Sequence, residues 1–148
     1  MKKKIIIISG EPNSINPEII YKSWKKIDKN IKKKIYLVSN YELLINQFKF
    51  LNYKIKVRKV KNINQNENDD YLKVIDIDLN FKNINSINQS NIDKFINQSL
   101  DFGHKISLKK NVKGLINCPI NKSHLNKKFY GATEFLASKC SIKNNSEV

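Results

Sequence analysis

Apolar runs and helically spaced apolar residues alternate along this chain. Lys4 to Ser9 is a nearly unbroken β-branched run closed by Gly10 and Pro12, which predicts a strand buried on both faces, as in a parallel sheet. Asn16-Pro17-Glu18 then supplies a capping side chain, a proline for the first helical position and an acid for the positive helix end. A helix is expected from Pro17 to about Asp28, burying Ile19, Ile20, Trp24 and Ile27. Lys33 to Ser39 reads as a second strand. Asn40 caps a helix to about Leu51, with Leu43, Leu44 and either Phe48 or Ile45 inward.

Tyr53 to Val60 alternates apolar and basic residues, as expected of a strand with one wet face near a sheet edge. Lys61 to Asp70 has no periodicity and reads as a loop; Tyr71 to Leu79 is a short strand, and Asn80 to Ser90 a polar connection. Asn91 to about Leu108 carries Ile92, Phe95, Ile96, Leu100 or Gly103, and Ile106 at helical spacing. Gly103 costs that helix about 1 kcal/mol relative to Ala unless a neighbouring element approaches closely. Val112 to Cys118 is a strand broken by Pro119, followed by a basic loop and a helix restarting at Thr133. Strand and helix in alternation predict one α/β domain over residues 1–148, a layered α/β/α fold with a mainly parallel sheet.

Composition changes this picture little. The net charge of +15 invites a nucleic-acid partner, yet Arg58 is the only arginine and the lysines are spread along the whole chain beside abundant Asn and Ile. No nucleic-acid motif accompanies them, so no nucleic-acid partner is expected. Cys118 and Cys140 are too far apart for a C-x-x-C motif and read as small core residues in a reducing, cytoplasmic setting. The first apolar run stops after Ile8, short of the roughly 7 to 15 residues of a secretory leader. No run approaches a membrane span, and no membrane partner is expected.

Candidate chemistry concentrates where strands feed loops and helix starts, the usual ligand edge of a parallel sheet. Two such places carry motifs. Gly10-Glu11-Pro12-Asn13-Ser14-Ile15-Asn16-Pro17-Glu18 follows the first strand, and Cys118-Pro119-Ile120-Asn121-Lys122 with Gly131-Ala132-Thr133-Glu134-Phe135-Leu136 follows the last. In that order they resemble the 4-hydroxythreonine-4-phosphate dehydrogenase family of vitamin B6 (pyridoxal phosphate) biosynthesis, with its G-[DE]-P-A-G-I-G-P-E, G-P-[IVL]-[HN]-K and G-H-T-E-F/L elements. Ser14 and Asn16 stand where that family has glycine, which suggests an altered loop. The resemblance covers the family's N-terminal half, and implies an α/β lobe related to the isocitrate and isopropylmalate dehydrogenases.

The resemblance further implies NAD(P)-dependent oxidation and decarboxylation of a small phosphorylated amino acid, assisted by a divalent metal, in a homodimer. Its metal ligands are histidines beyond the matched segment, so none is expected among these residues, and this chain is expected not to turn over alone. The resemblance gives Thr133 a substrate contact; its position after Gly131 also suits a helix cap, worth about 1 kcal/mol. Ala132 replaces the family's histidine, and a hydrogen bond lost to a charged partner costs about 1.5 to 3 kcal/mol. Lys122 lies within a matched motif as a substrate or phosphate ligand. His124, with no counterpart in the motif, reads as an idle exposed imidazole, His104 as structural, and Glu134 as complementing the helix start. The loop from Gly10 to Pro17 is a candidate for an anion or the nicotinamide cofactor; catalytic and cofactor-binding residues cannot be named individually. A second function class fits the same substitutions: a non-catalytic homologue acting as a binding or assembly module.

Overall fold

Strands β1 (Lys4–Ile8), β2 (Ile35–Ser39), β3 (Val57–Val60), β4 (Leu72–Asp76) and β5 (Val112–Asn117) form one sheet in the order β3-β4-β2-β1-β5, and every pairing is parallel. These features belong to a computed structural model that describes residues 3–65, 70–125, 129 and 131–140. Side chains alternate across the sheet and divide the core in two. On one face Ile35, Leu37, Leu72 and Val74 meet Ile20 and Trp24 of α1 (Asn16–Lys26) and Leu44 and Phe48 of α3 (Tyr41–Phe50). On the other, Ile6, Ile8, Tyr36, Val38 and Ile75 meet Ile92, Phe95, Ile96, Leu100 and Ile106 of α4 (Gln89–Ser107). The layered α/β/α architecture expected from the sequence is present.

Several boundaries differ locally. The first helix ends at Lys26, and a single turn, α2 (Lys29–Lys32), precedes β2; Asp28 caps it by accepting from the Asn30 amide at 2.7 Å. That cap ends the longer helix expected to reach Asp28. Ile19 and Ile27 are half-buried, since the face of α1 is set by Ile20 and Trp24. Of the open pair on α3, Phe48 is buried and Ile45 half-buried. Strand β3 is shorter than the alternating run but occupies the sheet edge, as the pattern implies. On α4 both Leu100 and Gly103 are buried.

Gly103 marks a close approach: a Cβ there would lie 2.7 Å from Cδ1 of Ile8, so α4 rests almost directly on β1. Lys73, in the middle of β4, is fully buried. Its ammonium lies 3.2 Å from the Lys33 carbonyl and 5.2 Å from the centre of the Tyr36 ring.

Candidate functional site

Because β1 and β5 are parallel neighbours, the loops that follow them leave the same edge of the sheet. The Cys118 amide still donates to the Ile8 carbonyl at 2.9 Å, extending the ladder to the threshold of both loops. Gly10 then turns with φ of 73°. A Cβ at Gly10 would sit 2.5 Å from Nδ2 of Asn16, 2.6 Å from the Pro119 carbonyl and 2.9 Å from that of Cys118, so only glycine admits this approach.

Asn16 ties the loops together. Its side-chain amide donates to the Pro119 carbonyl at 2.8 Å, and the Glu11 amide donates to the same oxygen at 3.3 Å. The expected role of Asn16 as a helix cap is therefore corrected: α1 begins at Asn16 itself, Ile15 is the cap residue, and no side chain caps the helix. Ser14 braces the turn, its hydroxyl donating to the Glu11 carbonyl at 2.6 Å and accepting from the Asn16 amide at 3.2 Å. Ser14 and Asn16 cause no backbone strain, since positive φ among the described residues occurs only at Gly10 and Asn52.

The start of α1 is poorly furnished for an anion. Pro17 has no N–H, the Asn16 amide is taken by Ser14, the Ile19 amide by the Ile15 carbonyl, and Glu18 already places a carboxylate in the first turn. Only the Glu18 amide remains of the first-turn donors.

Pro119 leads into the 3-10 turn Lys122–His124, whose cap Asn121 accepts from the Ser123 amide at 3.0 Å. Lys122 is exposed. His124 is not: the exposed imidazole expected from sequence is buried, 3.1 Å from Oε1 of Glu11 through Nε2 and 2.8 Å from Oδ1 of Asp93 through Nδ1. The other Glu11 oxygen accepts from the Asn121 amide at 3.2 Å. No spacing rule finds this cluster, because its members come from the first loop, the last loop and α4. The one sequence signal is Glu11 inside the first motif.

Helix α5 (Ala132–Lys139) starts one residue before Thr133, with Gly131 as cap residue and no side-chain cap bond, so Thr133 is not the cap. Its side chain is exposed in the first turn, while Ala132 packs against the apolar cluster that includes Phe135 and Leu125. Glu134 folds back to within 3.2 Å of where a Cβ on Gly131 would lie, which suits an acid at a helix start. Phe129 and Phe135 meet edge to face at 5.3 Å, and Lys139 pairs with Asp101 of α4 at 3.0 Å. Lys122 and Thr133 thus stand exposed on two elements that both pack on α4. The intervening residues 126–128 and Tyr130 lie outside the described residues.

Two of the clefts among the described residues open elsewhere at this edge. One of about 320 Å³ runs from Pro12, Asn13 and Ser14 to Phe50, Leu51 and Ile84; the other, of about 590 Å³, holds Asp76, Asp78, Glu42, Lys49 and Lys59. Neither includes Lys122 or Thr133.

Among the described residues, no group of three His, Cys, Asp or Glu side chains could hold a metal ion. Glu11 and Asp93 take opposite nitrogens of the His124 ring, so they cannot converge on one ion. Burial pushes the Cys118 thiol up to about 11, which keeps it protonated. Cys140 is exposed, correcting its expected place in the core. No helix among the described residues is long and apolar enough to cross a membrane.

A parallel α/β sheet whose first and last loops are tied together at the carboxyl edge defines a lobe of an α/β enzyme-like fold. The chain belongs to the pyridoxal phosphate biosynthetic protein PdxA family, whose sequence model matches residues 24–147. That match includes the second motif; the first lies ahead of it. No curated protein sequence matches the chain. Among solved structures, a 4-hydroxythreonine-4-phosphate dehydrogenase from Burkholderia phymatum superposes with a TM-score of 0.77 at 16% identity, over 93% of this chain and 43% of that one. Another from Klebsiella pneumoniae gives 0.76 at 21% identity, over 93% and 44%. A candidate enzyme of that name from Salmonella typhimurium gives 0.78 at 20%, with the same coverage as the Klebsiella protein. These likenesses establish the fold, and the chain spans less than half the length of each of these proteins.

Proposed function

We propose that this chain forms the substrate-binding wall of a 4-hydroxythreonine-4-phosphate dehydrogenase, which oxidises the secondary alcohol of a phosphorylated hydroxythreonine with NAD(P) and decarboxylates the product. The observation that carries this reading is the Asn16 to Pro119 bond, which unites the two family motifs at the carboxyl edge of the sheet. Lys122 supplies a mobile positive charge for the phosphate, and Thr133 a hydroxyl that can donate to or accept from the substrate. Ala132 offers no side-chain donor, so the substrate is held by fewer polar contacts than in a site carrying histidine there.

In such an enzyme the nicotinamide takes up the hydride and the divalent metal polarises the reacting oxygen. The described residues contain no donor set that fits the metal, so no step is assigned to it here. We place the enzyme in the cytoplasm as a homodimer. Calorimetry of the purified chain should show binding heat with the phosphorylated substrate and none with unphosphorylated hydroxythreonine; equal heats, or none, would refute the phosphate-binding wall.

Ala132 also favours a second reading, a homologue that binds without catalysis. The same calorimetry separates the two: phosphate-dependent heat favours the dehydrogenase wall, and its absence favours the binding or assembly module. Cofactor reduction above a boiled control with NAD(P), a divalent metal and substrate would contradict the expectation that this chain alone does not turn over.

A further inference from the structure

We infer that Glu11 is a positioning residue: its carboxylate reaches from the first loop to the Asn121 amide and fixes the turn that presents Lys122. The inference rests on the substrate wall proposed above only for its effect on ligand binding; the hold on the turn is argued from geometry.

Glu11 is itself fixed before its side chain acts. Its amide donates to the Pro119 carbonyl at 3.3 Å, and its carbonyl accepts from Oγ of Ser14 at 2.6 Å and from Nδ2 of Asn16 at 3.4 Å. From that anchored backbone the side chain crosses 110 residues of sequence, and Oε2 accepts from the Asn121 amide at 3.2 Å. Oε1 lies 3.1 Å from Nε2 of the buried His124.

One carboxylate thus grips the 3-10 turn at residue 121 and at residue 124, on either side of Lys122. The far end of the turn is held on α4, where Asn97 donates to the His124 carbonyl at 3.2 Å. Within the turn, Oδ1 of Asn121 accepts from the Ser123 amide at 3.0 Å. Lys122 projects from this frame, exposed and paired with no carboxylate among the described residues. A lysine is a point charge on a flexible stem, so a fixed backbone beneath it narrows the space its ammonium samples and lowers the ordering cost of binding an anion.

Two other roles fit Glu11 less well. A general base needs an oxygen facing the substrate, whereas both Glu11 oxygens are engaged inward and the side chain is 19% exposed. A direct ligand for a phosphorylated substrate is excluded by sign, since a carboxylate repels phosphate. The hold on Asn121 needs no particular charge on the imidazole, because that bond runs from a backbone N–H to a carboxylate oxygen.

The test compares the full chain with Glu11→Ala and Glu11→Gln, reading amide hydrogen exchange by NMR and affinity for the phosphorylated substrate by calorimetry. Gln keeps an acceptor oxygen for Asn121, and a neutral imidazole can meet its NH2 with an unprotonated nitrogen; Ala keeps neither contact. In Glu11→Ala the Asn121 amide should exchange about tenfold or more faster, and the substrate should bind about tenfold or more weakly. Glu11→Gln should recover most of both losses. A general loss of stability leaves the affinity of the folded chain unchanged, so affinity separates positioning from mere support. An unchanged Asn121 amide in Glu11→Ala, an unchanged affinity, or a Glu11→Gln variant as impaired as Glu11→Ala would overturn the inference. The exchange measurement needs no ligand, so it can fail while phosphate-dependent heat stands, or hold while that heat is absent. If Glu11→Ala does not fold, the wild-type Asn121 amide decides alone: protection at this exposed residue supports the bond, and exchange at the rate of a free peptide overturns it.

Discussion

The side chain of Asn16 donates to the carbonyl of Pro119 across 103 residues of sequence, and that bond closes the gap between the two motif loops. Asn16 is 1% exposed, and its Oδ1 has no hydrogen-bond partner among the described residues. Its donor end therefore accounts for its position. Asn16→Ala should lower stability by about 0.5 to 1.5 kcal/mol, the net worth of the lost bond, since the exposed Pro119 carbonyl keeps the Glu11 amide. Asn16→Asp should cost more, because it brings a carboxylate oxygen up to the Pro119 carbonyl; urea unfolding of the three proteins checks the order.

Gly10 sits under that bond. An alanine there would adopt a backbone conformation costing about 1 to 2 kcal/mol, and its methyl would press on two fixed carbonyl oxygens. Gly10→Ala should therefore melt several degrees below wild type in a calorimetric scan. An unchanged Tm would mean that the loops do not pack as described.

Gly103 poses a finer balance. Alanine gains about 1 kcal/mol in helix preference, but its methyl meets the buried Ile8 side chain, and overpacking costs about 1 to 3 kcal/mol. Gly103→Ala is expected to be net destabilising, and pairing it with Ile8→Val should recover part of the loss. Additive effects in that double-mutant cycle would show that the two residues do not touch.

The two thiols should differ sharply in reactivity. Cys140 is exposed, while Cys118 is buried with its thiol pushed up to about 11, so at pH 8 only about a thousandth of Cys118 is thiolate. One equivalent of alkylation is expected in the folded chain and two after unfolding, read by mass spectrometry. Raising the pH toward 11 should speed labelling of Cys118.

The fold was legible where local pattern and tertiary environment agree. Lys4 to Ser9 and Val112 to Cys118 form strands as their apolar runs predict, and α4 shows its inward face at helical spacing. Ile5 and Ile7 of β1, however, are half-buried where the run predicts burial on both faces, and β5 lies at the sheet edge with Ile116 exposed. Lys73 escaped, because nothing in a short strand pattern tells a lysine beneath an aromatic ring from one in water. Asn16 misled for a related reason: Asn before Pro is a good cap locally, yet the acceptor it found lies on another strand's loop. His124 was unreadable because both of its carboxylates are contributed by distant segments. Lys122 and Thr133 came from family resemblance, and the structure sets both exposed on elements that rest on α4.

The central claim is that the first loop, the turn bearing Lys122 and the start of α5 form one binding wall. Backbone NMR of the full chain, titrated with the phosphorylated substrate, tests it most directly. Amides from Gly10 to Asn16, Asn121 to Leu125 and Ala132 to Glu134 should shift together with one dissociation constant, and Lys122→Ala should weaken it about tenfold or more. Shifts confined to the cleft of Phe50 and Ile84, or none at any of the three segments, would contradict the account.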